Sequence, residues 1–169
     1  MSRNSSNKSR ELSTSEKWLY LVGFPAGHGA VDTPFGAMWV LSPAIAIGLG
    51  LSPSQIGLVF TIKAITAGLS HLPSGLVGDT KWRNAFLLST FWWVSVSYLV
   101  ASLTNNYALF ILFTALGASG AAAWHPVAMG ILAERMPDKK SFVFGLHFVG
   151  GSVTAVSYTH LTLPTNREV

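Results

Sequence analysis

The residues best able to do chemistry in this sequence are a few ionisable side chains inside long apolar runs. On membrane-insertion scales, a charged side chain at the centre of a membrane helix costs about 2.5–3.5 kcal/mol, so such residues are candidate functional groups. They are His28, Asp32, Lys63, His71, His125 and His147.

His28 and Asp32 are four residues apart, so on a helix they share one face. Histidine titrates near neutral pH, and the pair could hold a proton or contact a solute. The same two side chains could ligate a metal, but two ligands do not make a site, and we predict no metal. The remaining alternative is a hydrogen-bonded histidine that only packs the helix.

Asp32 and Lys63 form the second candidate arrangement. If the first apolar helix ends at Pro43, Asp32 lies eleven residues, or about 16 Å, from that end. Lys63 lies ten residues, or about 15 Å, from Pro53 at the start of the next helix. The matched depths predict an ion pair, which either fixes helix packing or lines a polar cavity.

His125 precedes Pro126, which removes one backbone hydrogen bond from its helix. The freed carbonyl and the imidazole could form a polar contact point, or the proline could simply kink a helix whose histidine is satisfied. His71 and His147 are interpreted as snorkelling or packing groups.

The composition indicates a membrane protein. Half of the 169 residues are apolar and only 11% are charged, whereas soluble domains carry about 25% charged residues. The basic residues are scattered between apolar runs, so no nucleic-acid surface is predicted. Cysteine is absent, which excludes disulfides and thiolate metal sites. No nucleotide-binding loop, serine–histidine arrangement or set of three metal ligands is recognisable, so we predict neither an enzyme nor a cofactor.

Five apolar runs predict an all-α, polytopic bundle of transmembrane helices. Ser52 and Gln55 have the spacing of a capping box at the start of the second run, and the small residues at 115–123 favour close helix packing. The runs extend from about Trp18 to Pro43, Ser54 to Val77, Phe86 to Ser102, Tyr107 to Leu132 and Phe142 to Val156.

The basic residues also predict the orientation. Loops rich in Lys and Arg stay in the cytoplasm, and the loops at 44–53 and 104–106 contain neither residue. We therefore expect a multi-pass protein of the cell membrane with a cytoplasmic N-terminus. The basic residues that agree are Arg3, Lys8, Arg10, Lys17, Lys81, Arg83, Arg135, Lys139 and Lys140.

The chain divides into three predicted parts. Residues 1–17 form a cytoplasmic tail, residues 18–156 hold the transmembrane helices, and residues 157–169 break the last apolar run. This final segment, from Ser157 to Val169, resembles a spurious tail found at the ends of metagenomic reading frames, so we interpret it as foreign sequence.

The end of the second run carries a family resemblance. The segment from Gly75 to Asn84 is similar to the loop between the second and third helices of the major facilitator superfamily. Gly75, Gly78, Asp79 and Arg83 match that pattern, in which glycine, a leucine and an aspartate precede a basic-rich run. Three positions depart from the pattern: Val77 for leucine, Thr80 for arginine and Trp82 for glycine.

Three shorter stretches resemble one branch of that superfamily, the fosmidomycin resistance proteins. They are Gly27-His28-Gly29-Ala30-Val31-Asp32, Trp124-His125-Pro126 and Phe148-Val149-Gly150-Gly151. Val127 stands where that branch commonly has glutamate.

The resemblance implies twelve helices in two six-helix halves, of which this chain has the first four or five. It implies transport of a small solute by alternating access, with the loop as a latch for the outward-open state. Protons are the expected coupling ion, since Asp32 and His28 titrate, and the expected partners are the bilayer and the missing helices. The isolated chain is expected to be inactive. The alternative is a membrane sensor or assembly subunit that does not transport.

Overall fold

The computed structural model describes residues 12–162, with side chains described through Val153. Five long helices follow one another in this part of the chain, and it contains no strand. The prediction of an all-α bundle is confirmed. The helices are α1 (Thr14–Leu49), α2 (Pro53–Gly78), α3 (Arg83–Leu103), α4 (Tyr107–Arg135) and α5 (Lys140–Thr162).

Helices α1 to α4 are each long and apolar enough to cross a membrane. Helix α1 begins with a capping box between Ser13 and Glu16 and includes a π-helical segment at Leu19–Gly23. Helix α5 continues past Val156 to Thr162. Residues 1–11 of the predicted tail and residues 163–169 of the predicted foreign segment lie outside the described residues.

Pro43 does not end the first helix, contrary to the sequence prediction. Helix α1 continues through Pro34 and Pro43 to Leu49, and Gly50 then adopts a left-handed conformation with φ of 64°. Prolines are tolerated inside membrane helices because neighbouring helices and side chains can satisfy the freed carbonyls. Left-handed φ is accessible to glycine at little cost, and this residue therefore terminates the helix.

Local signals place the other boundaries. The Ser52 hydroxyl accepts from the Gln55 N–H, and the Gln55 side chain accepts from the Ser52 N–H, which confirms the predicted capping box. The Asn106 side chain caps α4 by accepting from the Leu109 N–H. After Arg135, a short 3-10 turn at Pro137–Lys139 leads into α5.

Helix α4 is the central element of the bundle. It packs against α2 and α3, while α1 packs mainly against α5. A Cβ atom on Gly117 would lie 2.5 Å from the Tyr98 ring, and one on Gly120 would lie 3.0 Å from the Trp93 ring. These glycines therefore let aromatic side chains of α3 lie directly on the α4 backbone, as the small-residue stretch predicted.

Trp124, near the middle of α4, anchors the larger of two apolar cores. Tyr20, Phe24, Val31 and Val94 pack in the same core. Residues of α1, α3, α4 and α5 thus converge on one indole ring, and the polar residues described next lie beside it.

Candidate functional site

Three histidines and one aspartate from three helices meet beside Trp124. His28 and Asp32 come from α1, His125 from α4 and His147 from α5. Each histidine offers a ring nitrogen within 4.8 Å of those offered by the other two. We call these four residues the histidine cluster.

Asp32 bridges two of the histidines. Its Oδ2 atom lies 3.0 Å from Nε2 of His28, and its Oδ1 atom lies 3.2 Å from Nε2 of His125. The predicted i, i+4 relation of His28 and Asp32 is therefore a direct contact. The carboxylate joins α1 to α4 as well as to its own helix turn.

His28 faces hydrogen-bond acceptors on both sides of its ring. Nδ1 lies 2.8 Å from the backbone carbonyl oxygen of His147, and Nε2 faces the Asp32 carboxylate. A neutral imidazole has one N–H and can donate to only one of these acceptors. A second proton on the ring, or another cation beside Nε2, makes both contacts favourable.

Aromatic stacking fixes the buried side of the cluster. The His28 and His147 rings stack with centroids 4.2 Å apart, and the Trp124 ring stacks on His147 at 5.3 Å. His147 is 1% exposed, whereas the side chains of Asp32 and His125 are 32% and 27% exposed. The cluster is therefore closed on the His147 side and open on the Asp32 side.

Two glycines allow α5 to reach the cluster. A Cβ atom on Gly150 would overlap the Pro25 carbonyl oxygen, and one on Gly151 would lie 2.5 Å from Nε2 of His28. A larger residue at either position would push α5 away from α1. The paired glycines in the stretch after Phe148 thus have a packing reason.

His147 was not predicted as a site residue. Its Nδ1 atom is buried and has no hydrogen-bond partner within the described residues. No local signal in the sequence marks this residue, because His147 has no ionisable neighbour one helical turn away on α5. Its membership of the cluster depends on how α5 packs against α1. His71, by contrast, is exposed and lies outside the cluster.

The predicted ion pair between Asp32 and Lys63 is wrong. The Lys63 ammonium lies 3.2 Å from the Met38 sulfur and over the rings of Phe35, Phe60 and Tyr98, at 4.6, 5.2 and 5.7 Å. Lys63 is 1% exposed and has no salt-bridge partner among the described residues. We call these surroundings the lysine pocket.

The prediction failed for two physical reasons. Helix α1 ends at Leu49 instead of Pro43, so Asp32 lies seventeen residues, or about 25 Å, from that end and the depths do not match. In addition, α2 packs mainly on α4 and has few contacts with α1. Where the two helices do meet, Lys63 faces Phe35 and Met38 of α1 instead of Asp32.

The loop after α2 is joined to the end of α4 by an ion pair. The Arg83 guanidinium donates to both carboxylate oxygens of Glu134, with Nη2 to Oε1 at 3.0 Å. Asp79 adds a weaker electrostatic attraction to the Arg83 guanidinium. Gly78 lies against Val127 of α4, whereas the space beside Gly75 is open. Glu134 was missed because its partner lies 51 positions away along the chain.

Comparison with known families agrees with this architecture. The family described as Major Facilitator Superfamily matches residues 27–159, which is well over half of the chain and includes the whole histidine cluster, the lysine pocket and the Arg83 loop. No solved structure matches the chain.

Proposed function

Because the chain belongs to the Major Facilitator Superfamily, a family of membrane transporters, we propose that it supplies helices of a secondary transporter. In this proposal the complete protein moves a small solute by alternating access, and protons drive the movement. The described helices α1 to α5 form part of the first of two six-helix halves. The remaining helices and the bilayer are the partners of this chain.

The observation that carries the proposal is the position of Asp32 between two histidines inside apolar helices. Ionisable side chains inside a membrane bundle mark ion pathways and proton relays. The arrangement of His28 between a carbonyl and a carboxylate favours a bound proton. Since Asp32 and His125 are partly exposed, a proton can reach the cluster from that side.

The cluster also provides a link between protonation and helix movement. Asp32 and His28 hold α1, while His125 holds α4 and the His147 carbonyl holds α5. A second proton on His28 lets the ring donate to both acceptors, and its loss sets either the Asp32 carboxylate or the His147 carbonyl against an imidazole lone pair. A ligand shifts a conformational equilibrium by its different affinity for the two states, and a proton does the same here.

Lys63 is proposed as a second element of the solute pathway. It carries a charge into an otherwise apolar region and is held by aromatic rings, which attract cations through their negative faces. Movement of the rings during the transport cycle would expose the ammonium to an anionic part of the solute.

The segment Gly75, Gly78, Asp79 and Arg83 is proposed as a latch. The Arg83–Glu134 pair ties the loop to α4, and Asp79 at the end of α2 remains available for another partner. In this proposal the latch stabilises the outward-open state and leaves helix insertion unaffected.

A transport assay tests the proposal. The complete protein is placed in liposomes that contain a pH-sensitive dye, with fosmidomycin as the first probe because three stretches resemble that resistance branch. Addition of the solute should move protons, and Asp32→Asn should abolish the proton signal. Solute uptake without proton movement would contradict the coupling, and proton-coupled uptake by Asp32→Asn would contradict the site.

The proposed cytoplasmic N-terminus has its own test. The chain has no cysteine, so single cysteines can be introduced without background. A cysteine at Trp82 should be protected from an impermeant external thiol reagent in whole cells, while one at Asn105 should react. External labelling at position 82 would contradict the proposed orientation and place that loop outside the cell.

A further inference from the structure

We propose that the histidine cluster is a binding site for a divalent transition-metal ion of the zinc class. The inference goes beyond transport, because it concerns equilibrium binding of a metal to these helices. It depends on the ligand set, the hydrogen bonds around it and one buried nitrogen atom without a partner.

The ligand set is the first support. His28, His125 and His147 offer three imidazole nitrogens from three helices, and Asp32 adds a carboxylate oxygen between two of them. Zinc takes histidine nitrogen and carboxylate oxygen in four-coordinate sites. Calcium and magnesium prefer oxygen ligands alone, so three imidazoles disfavour them.

The hydrogen bond on the far side of His28 is the second support. A histidine that ligates a metal usually donates its other ring N–H to a backbone carbonyl or a carboxylate. Nδ1 of His28 lies 2.8 Å from the His147 carbonyl oxygen, so the tautomer that carries its proton on Nδ1 donates to that carbonyl and has a lone pair on Nε2. That lone pair faces Asp32 Oδ2 at 3.0 Å, and a cation bound to both atoms removes their repulsion.

His147 provides the third support. Its Nδ1 atom is buried without a hydrogen-bond partner in the described part of the chain, and its side chain is almost fully enclosed. An unsatisfied buried polar atom costs stability. An ion held by His28 and His125 beside this ring would give the residue a partner.

The spacing indicates how the site would close. The three nitrogens lie within 4.8 Å of one another, whereas ligand atoms around a tetrahedral zinc are about 3.3 Å apart when Zn–N bonds are about 2.0 Å. The ligands must therefore move inward. His125 and Asp32 lie on the open side and are free to rotate, while the stacked rings of His28 and His147 are held by Trp124.

Metal titration of the purified chain tests the proposal, with any affinity tag removed. Co²⁺ serves as the spectroscopic probe, because tetrahedral Co²⁺ sites have intense visible absorption, and Zn²⁺ is then added to displace it. We expect one Co²⁺ per chain, displaced by Zn²⁺ but not by Mg²⁺. Binding should weaken at least tenfold between pH 7.5 and 5.5, because protons compete for the imidazoles.

The variants separate the cluster from other histidines. His28→Gln, His125→Gln and His147→Gln should each weaken binding at least tenfold, whereas His71→Gln should leave it unchanged. Circular dichroism of each variant tests whether it keeps its helices, and X-ray absorption of the zinc-loaded wild-type chain reads its ligands directly. No saturable binding, equal loss in His71→Gln, or zinc with fewer than two imidazole ligands would overturn the proposal. Because transport is not measured, failure here leaves the proton-coupled function untouched.

Discussion

Two regions along α1 hold buried charge by different means. In the histidine cluster, Asp32 contacts the imidazoles of His28 and His125, and a backbone carbonyl of α5 lies at hydrogen-bond distance from His28. The lysine pocket, about one turn further along α1, surrounds Lys63 with three aromatic rings and a methionine sulfur. The cluster brings a carboxylate together with three imidazoles, whereas the lysine pocket contains no carboxylate or imidazole among the described residues.

The difference assigns the two regions different roles in the proposed transporter. Occupancy of the cluster can change without breaking the packing, because Asp32 and His125 are partly exposed. Lys63 has to leave its rings before it can meet a solute. We therefore expect the cluster to respond to ions and the lysine pocket to respond to conformational change.

Asp32→Asn should have the largest effect, and it tests directly whether the histidine cluster is the region that responds to ions. The amide keeps the shape but loses the charge that holds His28 and His125. Removing one partner of a buried charge network typically costs about 3–5 kcal/mol. We expect loss of proton-driven accumulation in liposomes, with downhill solute exchange retained.

Asp138→Asn is the matched control for Asp32→Asn, because it removes one negative charge at an exposed position outside both regions. It should leave accumulation within twofold of wild type. Equal loss of accumulation in the two variants would show that net charge, and not the cluster, is responsible.

Gly151→Ala should have the next largest effect and concerns only the cluster. The added methyl group would lie 2.5 Å from Nε2 of His28, so α5 or the imidazole must shift. Overpacking of this kind costs about 1–3 kcal/mol. Thermal unfolding in detergent should show a lower midpoint for this variant.

Gly145→Ala serves as the control on the same helix, because nothing lies near the Cβ position there. Alanine is favoured over glycine within helices by about 1 kcal/mol, so this variant should be neutral or more stable. If the unfolding midpoint falls in Gly145→Ala, or stays unchanged in Gly151→Ala, then α5 does not approach His28 as described.

The sequence was sufficient to predict the architecture, since long apolar runs and the Ser52–Gln55 capping box are local signals. It also identified His28 and Asp32, because an i, i+4 contact lies within one helix. It failed where the answer depended on packing between helices. Examples are His147, which reaches the cluster only through the approach permitted by Gly151, and the lysine pocket, where Lys63 of α2 meets Phe35 and Met38 of α1 instead of Asp32.

Lys63→Met tests whether the lysine pocket and the histidine cluster contribute independently to the stability of the helix bundle. If the regions are independent, removal of the ammonium leaves no carboxylate unpaired, and stability should change by less than in Asp32→Asn. The double variant Asp32→Asn with Lys63→Met should equal the sum of the single effects within about 0.5 kcal/mol, because no ion pair joins the two side chains. Recovery of stability in the double variant would instead support the ion pair between Asp32 and Lys63 that was predicted from the sequence.

The Arg83–Glu134 pair should have the smallest effect on stability, and it provides an exposed ion pair to compare with the two buried regions. Its geometry is bidentate, yet the Glu134 side chain is 54% exposed, so water screens the attraction. Exposed ion pairs are worth about 0.2–1 kcal/mol, far less than the contacts of Asp32. A double-mutant cycle with Arg83→Gln and Glu134→Gln should give a coupling energy in that range, measured by chemical unfolding.

Transport measurements separate Glu134 from the proposed latch residue Asp79. Asp79→Asn should slow solute exchange several-fold with unchanged membrane insertion, whereas Glu134→Gln should slow it less. Equal transport rates in Asp79→Asn and wild type would remove the latch, and a coupling energy above about 2 kcal/mol would show that this pair behaves as a buried one.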